Sequence, residues 1–115
     1  MSFWRKDVIQ PALDSETAKH IREQQEWIAR EPGNAQPWYN LALLYRMEQR
    51  QEDALALLLE AVRLDAAHAD AHVALAEIYA VRADYPAAWR HARQAESQGN
   101  SRGVELLTRH GLSDE

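Results

Sequence analysis

One pattern in the chain occurs twice. Trp38-x-x-Leu41-Ala42-x-x-Tyr45, a polar break, then Ala54-x-x-x-Leu58-x-x-Ala61 returns about 34 residues later as His72-x-x-Leu75-Ala76-x-x-Tyr79 and Ala88-x-x-x-Ala92-x-x-Ala95. Within each half the apolar positions recur every three or four residues, the period of a helix with one buried face. A fixed repeat of this length marks helix-turn-helix units that each leave an apolar face for the next, so they stack into a solenoid. A generic helical bundle also places Ala and Leu at helical spacing. It does not require the same order of small and large residues to recur in register.

The small residues explain the order. Ala42 and Ala76 fall on the front helices, and Ala54, Ala61, Ala88 and Ala95 on the back helices. Two antiparallel helices approach closely only where small side chains meet at the crossing. Leu41, Tyr45, Leu58, Leu75 and Tyr79 then fill the space between neighbouring pairs.

The same signals divide the chain. Residues 1–13 read as an irregular segment, with Phe3, Trp4, Val8 and Ile9 apolar but Pro11 stopping any long helix. Residues 14–34 carry a helix that starts at Asp14-Ser15-Glu16-Thr17 and places Ala18, Ile21 and Ile28 near one face. Pro32-Gly33-Asn34 ends it. Residues 35–68 form the first repeat: a front helix over 35–49, a turn at Arg50-Gln51 and a back helix over 52–64. Residues 69–100 form the second: a front helix over 69–82, Asp84 as N-cap with Pro86 in the first turn, and a back helix to about Gln98, closed by Gly99. Residues 101–115 hold a short helix over 102–109, capped by Ser101 and ended by Gly111, and a frayed tail from Leu112.

These residues resemble the tetratricopeptide repeat family, whose pattern is W-x-x-L-G-x-x-Y, then A-x-x-x-F, then A, then P. The first repeat has Ala42 in the Gly slot and Leu58 in the Phe slot. The second has His72 in the Trp slot and Ala92 in the Phe slot. The closing Pro is missing at Ala66 and Asn100 but present at Pro32, which makes residues 14–31 the back helix of an eroded earlier repeat. His20 and Trp27 stand where small residues belong, so that helix is expected as a lone cap, with Trp27 covered by Phe3 or Trp4. The resemblance implies an all-α fold, a short right-handed α-solenoid of antiparallel helix pairs with N- and C-terminal capping helices. It also implies a protein–protein interaction module, an adaptor or scaffold, that holds a peptide or helix of a partner on the concave face of its front helices. The matching positions are Gln36, Tyr39, Asn40, Leu43, Arg46 and Met47, then Asp70, Val73, Glu77, Ala80 and Val81. A chaperone-tail clamp is not expected, because the slots that would hold its Lys and Arg carry Tyr39, Leu43, Asp70 and Ala74.

A second surface competes. Leu57 and Leu59, with Leu55, Leu58 and Val62, make the first back helix apolar nearly all round. Such a helix is buried on most sides or offers itself to another chain. Self-association through Leu57, Leu59 and Trp89, as a homodimer, is the alternative function, set against burial under the capping helices, which suits Trp89 better than Leu59.

Other chemistry finds little support. The chain has 115 residues, room for one domain, a formal charge of −5 and no basic stripe, which argues against nucleic-acid binding. It has no cysteine, no segment of membrane-spanning length and no secretory leader pattern, so a cytoplasmic location without membrane contact is expected. His68 and His72 have the spacing of a helical metal pair but no third ligand near in sequence, and no metal or cofactor is expected. His91 and His110 sit beside basic residues and are expected to face solvent. No phosphate loop, nucleophile elbow or paired carboxylates point to an enzyme.

Overall fold

The computed structural model describes residues 15–112, and over them the chain is helical throughout, with no strand. The helices are α1 (Ser15–Arg30), α2 (Ala35–Met47), α3 (Gln51–Leu64), α4 (Ala69–Val81), α5 (Tyr85–Ser97) and α6 (Arg102–Arg109). Connectors of a few residues make each helix antiparallel to the next. α2 pairs with α3 and α4 with α5, while α1 lies against α2 and α6 against α5 and α4. The stack measures 46 × 28 × 21 Å, elongated as expected when each unit touches only its neighbours. The expectations for residues 1–13, for cover of Trp27 by Phe3 or Trp4, and for a helix start at Asp14 lie outside the described residues.

The expected small residues lie at the crossings. Ala42, Ala54, Ala61, Ala76, Ala88, Ala92 and Ala95 have no exposed surface, and Leu58 and Leu75 are closed in beside them. Trp38 packs against this core and donates its Nε1–H to the Pro32 carbonyl at 3.3 Å, which ties the loop after α1 to α2. α4 is the most enclosed helix: Ala71, His72, Val73, Ala74, Leu75, Ala76 and Ile78 are all buried. The sequence pointed to α3 instead. α4 has α3, α5 and α6 around it, and it carries acidic side chains only at Asp70 and Glu77.

Helix ends follow local chemistry. Asn34 Oδ1 accepts from the Gln36 N–H, and Asp84 Oδ1 from the Ala87 N–H, so α2 and α5 start on side-chain caps. Pro37 and Pro86 sit in first turns, where no intrahelical N–H is needed. Four helices end alike: the N–H groups of Arg50, Asp84, Asn100 and Leu112 return to the carbonyls of Tyr45, Tyr79, Ala95 and Leu107. The residue before each has positive φ: Gln49 at +64°, Ala83 at +63°, Gly99 at +94° and Gly111 at +69°. The first turn thus falls at Glu48-Gln49, and α3 begins at Gln51.

Two expectations at the C-terminal end are corrected. Ser101 does not cap α6 with its side chain. Its hydroxyl donates to Glu105, and Asn100 Oδ1 accepts the Arg102 N–H instead. Leu112 is not frayed: it packs beside Leu107 in the second core cluster, and its carbonyl accepts the Trp89 indole N–H at 3.2 Å. α6 itself is seated through Gly103. A Cβ there would stand 3.1 Å from the Ala92 Cβ and 3.6 Å from the Ala76 Cβ. The Ala in the Phe slot of the second repeat is what lets α6 come this close.

Candidate partner-binding face of the front helices

The helices place Tyr39, Leu43 and Met47 at four-residue steps along α2, a slanted ridge roughly 12 Å long. Tyr39 is half-buried, its ring 4.9 Å from the His68 ring, Leu43 is partly exposed, and Met47 is 67% exposed. On α4 the corresponding end carries Val81 at 87% exposure, with Ala80 partly exposed. Burial, and next the Asp70 carboxylate, raise the Tyr39 phenol above its ordinary value, which keeps it a neutral donor.

The polar positions on this face are engaged with one another. Asn40 Nδ2–H donates to Gln24 of α1 at 3.1 Å, Gln36 Nε2–H donates to Asn40 at 2.9 Å, and Gln36 Oε1 meets His68 Nε2 at 3.0 Å. His68 Nδ1 accepts the Ala71 N–H at 3.1 Å, so its proton is on Nε2 and every bond in this chain has a consistent direction. His68 is thereby the N-cap of α4. Arg46 donates to Glu77 at 3.1 Å across the α2–α4 contact, and Asn100 donates to Asp70 at 3.0 Å. The Gln24–Asn40, Gln36–His68 and Arg46–Glu77 bonds join successive layers of the stack, while Gln36–Asn40 runs along α2.

Some expected site residues are elsewhere. Val73 is only 3% exposed and cannot line an open groove, because α4 is enclosed along that side. Trp89 is buried at 9% exposure, closed by Leu112 and by the Arg93 guanidinium over its ring, so it offers no surface for self-association. Leu57 packs against the core with Leu55 and Val62, so of Leu57, Leu59 and Trp89 only Leu59, 40% exposed, is open.

The histidines also depart from expectation. His72 is buried in the Trp slot, and His91 turns inward to meet it rather than facing solvent. The His72 Nε2 donates to the Ala66 carbonyl at 2.9 Å, so its Nδ1 is left as an acceptor for the His91 Nδ1–H. The ring centroids are 5.2 Å apart, a head-on meeting, and His91 also stacks on Tyr79. Burial, then His72, then Arg90 push His91 down to about 4. The His72 lone pair is taken up by the His91 N–H, and no third ligand among the described residues converges on the two rings, so this is a hydrogen bond and not a chelate. Among the described residues no three His, Cys, Asp or Glu converge to hold a metal ion, and no helix is long and apolar enough to cross a membrane. Nothing in the sequence spacing flagged His91; the polar residue in the Trp slot was the available signal.

A search of the curated proteins returned no match. The family model described as tetratricopeptide repeat matches residues 14–95. That stretch takes in α1, both helix pairs and the crossings that the repeated Ala and Leu residues form. On the fold, the repeat and this match together, the chain belongs to the tetratricopeptide repeat family.

Proposed function

We propose that this protein is an interaction module, an adaptor or scaffold, that holds a peptide or helix of another protein on the face formed by its front helices. The observation that carries the reading is the distribution of exposed apolar side chains. Met47, Val81 and Leu59 are the large hydrophobics left exposed among the described residues, and two of the three belong to the ends of α2 and α4, with Met47 one turn on from Leu43 and two from Tyr39. Self-association through the back helices is less well supported, since Trp89 and Leu57 are covered within the chain.

The test compares affinity capture by the parent, by the Tyr39→Ala Leu43→Ala variant and by Leu59→Ala, with melting curves on all three. The reading expects the double variant to stay folded and lose its captured protein while Leu59→Ala retains it. Equal capture by the parent and the double variant would sink it.

A further inference from the structure

We propose that residues 1–14 fold over the open end of the front helices of their own chain, seat Val8 and Ile9 against Met47 and Val81, and are displaced when a partner binds. Only the displacement rests on the front-helix reading above; the contact does not. The Gln24–Asn40 bond fixes the register of α1 against the antiparallel α2. Met47 lies seven residues beyond Asn40, about 10 Å along α2, and Ser15 lies nine residues before Gln24, about 14 Å in the same direction along α1. Residue 14 therefore joins the stack at the Met47 end of α2. Val81 holds on α4 the place that Met47 holds on α2. Two steps between helix axes, at about 8–10 Å each, carry the chain from α1 over α2 to α4. Val8 and Ile9 stand six or seven residues before Ser15, and that length of extended chain spans about 20 Å. Pro11 disfavours helical backbone at Gln10, so the sequence suits an extended path here better than a backward continuation of α1.

The chemistry of segment and surface agrees. Met47 at 67% and Val81 at 87% are the most exposed large hydrophobics among the described residues. Glu48, beside Met47 at the negative end of α2, has no ion pair among the described residues, since Arg46 is taken by Glu77 and Arg50 by Asp53. The segment brings Phe3, Trp4, Val8 and Ile9 to the apolar pair and Arg5 and Lys6 to the carboxylate. Trp27, the expected cover for Phe3 or Trp4, is already half-buried. Entry at the Met47 end also gives the chain's own segment an effective concentration that a second copy lacks.

The chain has no cysteine, so a nitroxide attached at Asp7→Cys in the full chain reports from one place. In isotopically labelled protein diluted tenfold into unlabelled parent, it should broaden the amides of residues 46–48 and 80–82, and Val8→Ser Ile9→Ser should abolish that broadening. Broadening centred on Trp27, or none at Met47 and Val81, would overturn the contact and leave the front-helix reading untouched. Broadening that appears only when the nitroxide and the isotope are on different molecules would assign the surface to a second copy and overturn the choice of occupant. Displacement is read with a peptide selected against the full chain from a displayed random-sequence library. Val8→Ser Ile9→Ser should bind it at least threefold more tightly than the parent, and Tyr39→Ala Leu43→Ala at least tenfold more weakly. Unchanged affinity in the first variant would overturn displacement. Unchanged affinity in the second would overturn the front-helix reading and leave the contact standing.

Discussion

The Nδ1 atoms of His72 on α4 and His91 on α5 lie 3.0 Å apart and share one proton across the interface of the second helix pair. His91 therefore charges less readily in the folded protein than in the unfolded chain, its value pushed from 6.5 to about 4. With a depressed folded value, the stability is fully present above about pH 6.5 and is lost as pH falls from there towards 4. Because the ring is part-exposed, the loss is on the order of 1–2 kcal/mol after discounting for solvent screening. Thermal melts across that range should fall more steeply for the parent than for His91→Gln, which keeps a donor towards His72 but does not titrate. Parallel curves would show that the pair is not coupled to folding.

Among the described residues two non-glycine residues lie in the left-handed region, and they set up a gain. Gln49 and Ala83 occupy the same place in the two repeats, at φ of +64° and +63°, and both are exposed. A Cβ in that conformation costs roughly 1 kcal/mol. Gln49→Gly and Ala83→Gly should each raise stability by about 0.5–1 kcal/mol, read as a later midpoint in urea with an unchanged slope.

Overpacking tests the register of the repeats. Ala54 and Ala88 have no exposed surface, and Leu at either should destabilise by roughly 1–3 kcal/mol. Gly103→Val should cost a similar amount, because its side chain would enter the space held by Ala92 and Ala76. An unchanged melting temperature for Ala54→Leu or Ala88→Leu would mean that those residues are not at helix crossings.

The ties across the front helices should act on stability only weakly. The Arg46–Glu77 pair is about 30% exposed on each side, so Glu77→Gln should cost no more than about 1 kcal/mol, with the loss shrinking in high salt. Chemical denaturation at two ionic strengths measures this.

What could be read from the sequence follows the physics of each feature. The helix pairs, the alanine crossings and the Asp84 cap are set by local spacing, and they stand where the repeat put them. The exposure of Met47 and Val81 follows from the same register. Burial of Trp89 under a capping helix was one reading of the sequence, but its contact with Leu112 was not legible, because Leu112 returns from beyond Gly111 to accept its N–H. The inward turn of His91 depends on His72, 19 residues earlier, and on the Ala66 carbonyl beyond that. Polar residues on the front face read as ligand contacts in a one-dimensional pattern. Only the fold shows that Gln24 reaches Asn40 and Arg46 reaches Glu77.

On the proposed reading the front helices, and not the outer face of α3, receive the partner. Titrating the isotopically labelled full chain with a peptide selected against it from a displayed random-sequence library, and following the backbone amides by NMR, tests this directly. Shifts are expected at residues 39–47 and 77–81, with α3 around Leu59 unmoved. Shifts centred on Leu59, with Leu43 and Met47 silent, would contradict it.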